Sequence, residues 1–136
     1  MSQQLADSLI KAIPYAQTLG IRADFSKDGL PLILPYQKSN IGNPTLPALH
    51  GGAIGGFMEV CAMAELQRRS PALPLSKPIG VNIDYLRRGK PLETYARADI
   101  FKEGSRVANV RVRAWQGNIE EPIAALSGHF LLPKKS

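Results

Sequence analysis

The longest apolar stretch of the chain is Leu49–Leu66, which contains no proline and no run of β-branched residues. Within it, over Ala53–Ala64, hydrophobic side chains fall on every face of a helical wheel, which is typical of a helix buried on all sides. We therefore predict a buried helix over about His50–Arg69. Glu59 stands in the middle of this stretch, and a carboxylate there is costly unless it is paired, neutralised or used.

The second half of the chain alternates apolar and polar residues with the period of two that is typical of β-strands. The predicted strands are Ile79–Arg87, Leu92–Lys102, Arg106–Trp115 and Pro122–Leu132. Earlier in the chain, Asp28-Gly29 separates two apolar runs, Ile21–Ser26 and Leu30–Tyr36, and predicts a β-hairpin. A short amphipathic helix is expected over Gln3–Ala12, ending near Pro14.

These elements predict an α+β architecture. Strands that are joined by short turns must be antiparallel neighbours, because a parallel pair needs a long crossover. The sheet has one apolar face, and the chain supplies one long apolar helix to cover it. We therefore expect residues 1–136 to form a single domain in which a curved antiparallel sheet of five to six strands wraps a long central helix. One sheet cannot enclose every side of a helix, so a dimer is also expected.

Composition narrows the classes of partner. A hydrophobic content of 44% and a charged content of 21% are ordinary for a globular protein. No apolar run is long enough to span a bilayer, and the N-terminal residues show no signal-peptide pattern. The single cysteine, Cys61, excludes an internal disulfide and fits a reducing compartment, so we predict a cytoplasmic protein.

The net charge of +6 favours anionic partners, among them phosphate-rich small molecules. The basic residues are scattered and no base-stacking aromatic pattern accompanies them, so nucleic acid is not expected as a partner. The chain has two histidines, His50 and His129, which are too few and too far apart for a zinc site. Cys61 lies within the buried helix and is interpreted as a core thiol.

Gly51 and Gly52 open the predicted helix, where the first backbone N–H groups lack intrahelical partners and lie at the positive end of the helix dipole. Because Gly51 has no Cβ, a ligand oxygen can approach its backbone closely. Such a donor stabilises negative charge that develops on a carbonyl oxygen. Close packing of the helix would explain the same glycines, and the sequence leaves both interpretations open.

Glu59 lies eight residues after Gly51, which places it about 12 Å further along the helix axis. One chain cannot easily bring both groups to a single carbonyl, whereas two antiparallel helices related by a two-fold axis can. If both groups act, the site lies at a dimer interface and occurs twice. The alternative is that Glu59 is a structural carboxylate paired with a histidine or an arginine.

Three short motifs follow one another along the chain. The first is Leu49-His50-Gly51-Gly52, with Asn43 in the preceding loop and Glu59 nine positions after the histidine. The second and third are Asn82-Ile83-Asp84-Tyr85-Leu86-Arg87 and Lys102-Glu103-Gly104-Ser105-Arg106. In their order and spacing they resemble the hotdog-fold thioesterase superfamily, specifically its PaaI-like acyl-CoA thioesterases. The resemblance covers about residues 21–132.

The resemblance implies a hotdog fold and hydrolysis of an acyl-CoA thioester to a free acid and coenzyme A. No cofactor is implied, because coenzyme A is part of the substrate. Glu59 resembles the catalytic carboxylate, as base or nucleophile, and Gly51 the residue whose N–H binds the thioester oxygen. His50 is similar to the residue that shapes this turn, and Asn43 to the one that positions the water or the substrate carbonyl. A homodimer or a dimer of dimers, without a metal, is implied.

If coenzyme A is the carrier, its phosphates need cations. The substrate-binding candidates are Gly52, Arg87, Arg88, Lys90 and Arg106, of which Arg106 is the weaker cation candidate. Ordinary solvated residues at the edge of the sheet are the alternative interpretation of each cation.

The chain also departs from the family pattern. Asn43 lies seven residues before His50 rather than six, and Pro47 stands where a glycine is common. The family's Ser/Thr after the helix has no clear counterpart, since Pro78 falls near that place and Ser76 only approximately so. These departures leave open a non-catalytic acyl-CoA-binding or sensing protein. A hotdog dehydratase or hydratase is less favoured.

Overall fold

The computed structural model describes residues 11, 13–23, 32–35, 51–70 and 72–133. In chain order its elements are α1 (Pro14–Leu19), β1 (Arg22–Ala23), β2 (Leu32–Leu34), α2 (Gly51–Arg69), β3 (Lys77–Tyr85), β4 (Thr94–Glu103), β5 (Val107–Trp115) and β6 (Ala124–Leu131). Over these residues the strands form one six-stranded antiparallel sheet in the order β1-β2-β4-β5-β6-β3. The sheet curves around α2 without closing, which confirms the predicted α+β fold.

The predicted central helix is confirmed, and α2 begins and ends within one residue of the prediction. Its apolar side chains form the middle of the core, where Phe57 and Met58 are fully buried. Burial is not complete on every side, because Glu59 and Met63 are half-buried and Gly52 is exposed. These three residues lie on one face of the helix, since they are seven and four residues apart. The sheet therefore leaves one face of α2 partly open.

Alternation along the sheet follows the predicted period. On β5 the buried residues are Ala108, Val110, Val112 and Ala114, and on β6 they are Ala124, Leu126, Gly128 and Phe130. Facing residues of the two strands, such as Val112 and Leu126, are paired in register and lie on the same side of the sheet. This inner side packs against α2, and the other side carries the charged residues.

The predicted hairpin is present as the short pair β1 and β2, in register at Arg22 opposite Ile33. Its predicted turn at Asp28-Gly29 lies outside the described residues. The N-terminal helix predicted over Gln3–Ala12 lies outside them as well, apart from Lys11. Where the prediction placed Pro14 near the end of a helix, the structure places it at the start of α1. Proline suits the first helical position because the N–H that it lacks would have no intrahelical partner there.

β3 lies at one edge of the sheet and pairs only with β6 among the described strands. Its predicted apolar side faces α2, since Ile83 and Tyr85 contact the helix at Gly55 and Gly51. Near its start, Ile79 is 57% exposed. The outer edge of β3 is thus a row of backbone groups with an apolar side chain beside it, the kind of edge that pairs with another chain. No helix within the described ranges is long and apolar enough to cross a bilayer.

Candidate active site

β3 ends beside the N-terminus of α2, with Ile83 against Gly55 and Tyr85 against Gly51. There, Tyr85 Oη donates a hydrogen bond to the Gly51 carbonyl oxygen at 2.9 Å. A Cβ added at Gly51 would lie 3.6 Å from the Tyr85 ring, an ordinary van der Waals distance. A Cβ added at Gly55 would lie 3.0 Å from Ile83 Cδ1 and 3.3 Å from Tyr85 Oη. Close packing therefore accounts for Gly55, whereas the described neighbours leave room for a side chain at Gly51.

The backbone of the first turn is accessible, because Gly51 is half-buried and Gly52 is exposed. The first turn of α2 contains no acidic residue, so no carboxylate of its own balances the positive end of the helix dipole. A developing oxyanion that reached Gly51 would meet a backbone donor and a favourable dipole together.

Glu59 and Glu65 lie on the same helix and differ in their partners. The side chain of Glu65 is 11% exposed and forms ion pairs with Arg68 and, at 3.6 Å, with Arg69. The hydrogen bonds from Arg68 to this carboxylate raise the pKa of the Arg68 guanidinium. Glu59 is half-buried and has neither an ion pair nor a hydrogen bond with any described residue. The role of a paired structural carboxylate is therefore filled by Glu65 and not, among the described contacts, by Glu59.

Three of the candidate cations follow β3 and lie at the same end of the sheet as the start of α2. Arg87, Arg88 and Lys90 are all exposed. Arg87 Nη1 donates to the Pro122 carbonyl oxygen at 2.7 Å, so its guanidinium is partly engaged. The backbone of Lys90 is held by Gln116, which accepts from the Lys90 N–H at 3.0 Å and donates to its carbonyl at 2.8 Å. Lys90 thus combines a fixed backbone with an exposed ammonium group.

The fourth cation, Arg106, lies at the opposite end of the sheet. The strand register places Val107 opposite Leu131, which pairs with Lys77 at the start of β3. The start and the end of β3 are about 26 Å apart at 3.3 Å per residue. Within one protomer, Arg106 is therefore not brought together with Arg87. It lines a cavity of about 490 Å³ beside the C-terminal end of α2.

The remaining candidates divide into described and undescribed residues. Cys61 is buried, and burial, followed by the charge of Glu65, raises the pKa of its thiol. His129 is exposed on β6. Asn43 and His50 lie outside the described residues, so their predicted roles stay predictions. Where the chain is described, no group of three or more His, Cys, Asp or Glu side chains could hold a metal ion.

Sequence reasoning missed the contact between Tyr85 and Gly51. Tyr85 belongs to the Asn-x-x-Tyr-Leu-Arg motif and alternates onto the apolar side of β3, two residues after Ile83. That alternation indicates that its side chain faces the helix. Which helical residue it meets depends on the packing of two elements that lie 34 residues apart.

Comparisons with known proteins agree with this architecture. A family model described as the acyl-CoA thioesterase N-terminal domain matches residues 43–132. A solved structure from Chromobacterium violaceum is 35% identical, covers 99% of this chain and 100% of that one, and has a TM-score of 0.75. A protein from Bacillus halodurans, solved with CoA, is 19% identical, with 98% and 94% covered and a TM-score of 0.75. A search of curated proteins finds no match.

The PaaI protein of E. coli, from the phenylacetic acid degradation operon, is 18% identical, with 94% and 95% of the chains covered and a TM-score of 0.73. At this identity, the PaaI and Bacillus structures show a shared fold alone. The family model spans well over half of the chain, and the Chromobacterium protein matches it along almost its whole length. The chain therefore belongs to the acyl-CoA thioesterase family, with the hotdog fold and the PaaI-like character that its motifs predict.

Proposed function

We propose that the protein hydrolyses an acyl-CoA thioester to a free carboxylic acid and coenzyme A, with Glu59 as the catalytic carboxylate. Membership of the family supports hydrolysis of CoA thioesters in general. The observation that carries the assignment is that Glu59 is half-buried without an ionic or hydrogen-bonding partner in the described part of the chain. A carboxylate in that setting is available to accept a proton or to attack a carbonyl carbon.

The chemistry needs few groups. The leaving group is a thiolate whose conjugate acid has a pKa of about 8.5, by analogy with cysteine, so no strong general acid is required. As a base, Glu59 takes a proton from water while the water oxygen attacks the carbonyl carbon, and the C–S bond then breaks to release the CoA thiolate. As a nucleophile, it displaces the thiolate to form an anhydride, which water then hydrolyses. In both routes the Gly51 N–H donates to the oxyanion.

A second protomer completes this site in our proposal. Gly51 and Glu59 are about 12 Å apart along one helix, so the two groups that meet at one thioester come from two copies of α2. The outer edge of β3 and the exposed Ile79 offer a surface for pairing two copies, which would extend the sheet. A dimer of dimers is a further step of the same proposal.

The CoA phosphates are proposed to bind the exposed cations that follow β3. Arg88 and Lys90 have no ion pair with a described residue and lie at the end of the sheet where α2 begins. Arg87 contributes less, because its guanidinium already donates to Pro122. The accessible Gly52 lies beside the oxyanion donor. Asn43 and His50 retain their predicted roles in positioning the substrate and shaping the turn.

The test is release of free thiol from a panel of aliphatic and aromatic acyl-CoA esters, followed with a chromogenic thiol reagent. Glu59→Gln should lower kcat by about 10³-fold, the usual scale for loss of a catalytic base. Glu65→Gln is the matched control on the same helix and should retain activity. Equal rates for Glu59→Gln and the wild type would remove the assignment. Tight binding of every ester without turnover would favour a binding or sensing protein instead.

A further inference from the structure

The first turn of α2 is held from outside by β3. Tyr85 Oη donates to the Gly51 carbonyl oxygen at 2.9 Å. The Tyr85 ring lies 3.6 Å from the place that a Cβ on Gly51 would take, so it also covers the glycine from the side. Tyr85 is nevertheless 55% exposed. Burial of the ring therefore cannot by itself explain why a tyrosine stands here.

A glycine at the start of a helix is the residue least able to hold its own orientation. It has more backbone freedom than any other residue, and helix ends fray. The Gly51 N–H and C=O belong to two peptide planes that rotate about the Gly51 Cα. A hydrogen bond that holds the carbonyl, together with a ring 3.6 Å from the place of a Cβ, restricts that rotation and with it the direction of the N–H. An oxyanion donor works only if its position is fixed before the charge develops.

We propose that Tyr85 is a positioning residue of the active site: its hydroxyl fixes Gly51 so that the Gly51 N–H is aimed at the thioester oxygen. The inference rests on the proposed function for the role of Gly51, and it adds a residue that acts through Gly51 without contacting the substrate.

Gly55 belongs to the same arrangement. A Cβ at Gly55 would lie 3.3 Å from Tyr85 Oη and 3.0 Å from Ile83 Cδ1, both tighter than ordinary contacts. Gly55 thus makes room for the Tyr85 hydroxyl one turn below its acceptor. A Gly55→Ala substitution should displace the tyrosine and reproduce the effect of removing its hydroxyl.

The first variant is Tyr85→Phe, which keeps the ring and removes only the hydrogen bond. We expect kcat to fall about tenfold, less than for loss of an oxyanion donor, because the donor is misdirected and not deleted. KM should stay within about twofold, since ground-state binding does not use the oxyanion. Tyr95→Phe is the matched control, because the Tyr95 ring stacks on Trp115 with centroids 6.0 Å apart on the opposite side of the sheet from α2, and should change neither constant.

Two CoA ligands separate positioning from a merely structural role. A thioether analogue of the substrate carries no carbonyl and should bind wild type and Tyr85→Phe equally. A trifluoromethyl ketone analogue forms a tetrahedral adduct with water that mimics the oxyanion, and it should bind Tyr85→Phe about tenfold more weakly. Gly55→Ala should show the same selective loss of affinity for the ketone. Combining it with Tyr85→Phe should not lower that affinity below the lower of the two single-variant values.

A readout without turnover keeps the inference testable by itself. In Tyr85→Phe the backbone amide resonance of Gly51 should shift or broaden, while amides of the second half of α2 remain unchanged. Sedimentation should show the same assembly as the wild type. If the wild type hydrolyses no thioester, the proposed function fails while the Gly51 resonance still tests the tyrosine. The inference is overturned if the resonance, kcat and ketone affinity are all unchanged, or if both analogues weaken equally.

Discussion

The two ends of the central helix lie against the same sheet and are built differently. At the C-terminal end, Glu65 pairs with Arg68 and Arg69, and Gln67 Nε2 donates to the Leu73 carbonyl at 2.6 Å. The arginines also suit the negative end of the helix dipole. At the N-terminal end, glycines begin the helix, its first turn contains no acidic residue, and the hydroxyl that contacts this turn comes from another element.

This difference indicates where the chain binds something other than itself. The C-terminal end is closed, in that its charged side chains pair with one another, although Ser76 Oγ in the cavity beside it is buried without a hydrogen-bond partner among the described residues. The N-terminal end is open, in that glycines begin the helix and its first turn contains no acidic residue. Glu59, in the middle of the helix, has no ionic or hydrogen-bonding partner among the described residues, and this half-buried carboxylate costs stability unless a ligand or a second protomer engages it. The cavity of about 490 Å³ lies at the closed end, so in one protomer it is separate from the candidate catalytic groups Gly51 and Glu59. We place the proposed site at these groups and not at the cavity, because a site between two protomers is not enclosed by one protomer alone.

The contrast between the two ends of the helix predicts its largest effect on activity at Gly51. Gly51→Ala should lower kcat/KM about 100-fold, because the added methyl blocks close approach of the thioester oxygen to the backbone. Stability should be unchanged or slightly higher, since the Cβ would lie 3.6 Å from the Tyr85 ring and alanine favours the helix. The measurements are thiol release and thermal unfolding.

Gly117→Ala is the control for that variant, because a Cβ there would meet no atom of the described residues within 4 Å. It should leave both activity and melting temperature as in the wild type. Full activity in Gly51→Ala would show that the open end is not used for catalysis. Loss of folding would show that Gly51 is required for packing instead.

The closed end should respond in stability and not in activity. Glu65→Gln should lower the free energy of unfolding by about 1 kcal/mol, at the upper end for a partly exposed ion pair, because Arg68 and Arg69 lose their common partner. High salt should shrink the difference, since it screens the pair. Denaturant unfolding at low and high salt is the measurement. Glu59→Gln is the counterpart and should not lower stability, because no described pair is lost; a loss equal to that of Glu65→Gln would contradict the contrast.

Much of this architecture is predictable from the sequence, because it depends on the periodicity of apolar residues within each segment. The strand predicted over Arg106–Trp115 is observed as Val107–Trp115, since alternation along a half-buried strand is a signal carried by the strand itself. The long apolar run predicted α2 equally well. The place of β3 at the edge beside β6 was not predictable in this way, because spatial order depends on pairing between segments far apart in the chain.

The site was less predictable, for a related reason. When every face of a helix is apolar, periodicity cannot tell which face the sheet will leave open, so the half-burial of Glu59 had to come from the packing. The contact of Tyr85 with Gly51 depends on the register between a strand and a helix. The sequence also did not distinguish the two arginines Arg88 and Arg106 as candidates for phosphate binding. Only the pairing of the strands shows that they lie at opposite ends of the sheet.

The smallest expected effect is a change in KM when the exposed cations beside the start of α2 are substituted. Arg88→Gln and Lys90→Gln should each raise KM for an acyl-CoA about threefold with kcat unchanged, because an exposed cation near a phosphate contributes modest, uniform binding energy. The rise should shrink as salt is added, since both charges are solvated. Michaelis constants at low and high ionic strength are the measurement. Arg113→Gln is the control, since Arg113 is exposed on β5 and faces away from the helix.

The KM of an Arg106 variant tests directly whether the closed end of α2 takes part in binding CoA. In one protomer Arg106 lies at the opposite end of the sheet from Arg88, so Arg106→Gln should raise KM less than either variant beside the start of α2. A rise as large as that of Arg88→Gln would mean that the partner's closed end reaches over the CoA of its neighbour. In that case the contrast between open and closed ends would hold within a chain but not within the assembled site. Because an antiparallel pairing of β3 edges would set the start of one strand against the end of the other, this measurement also tests how the two protomers are arranged.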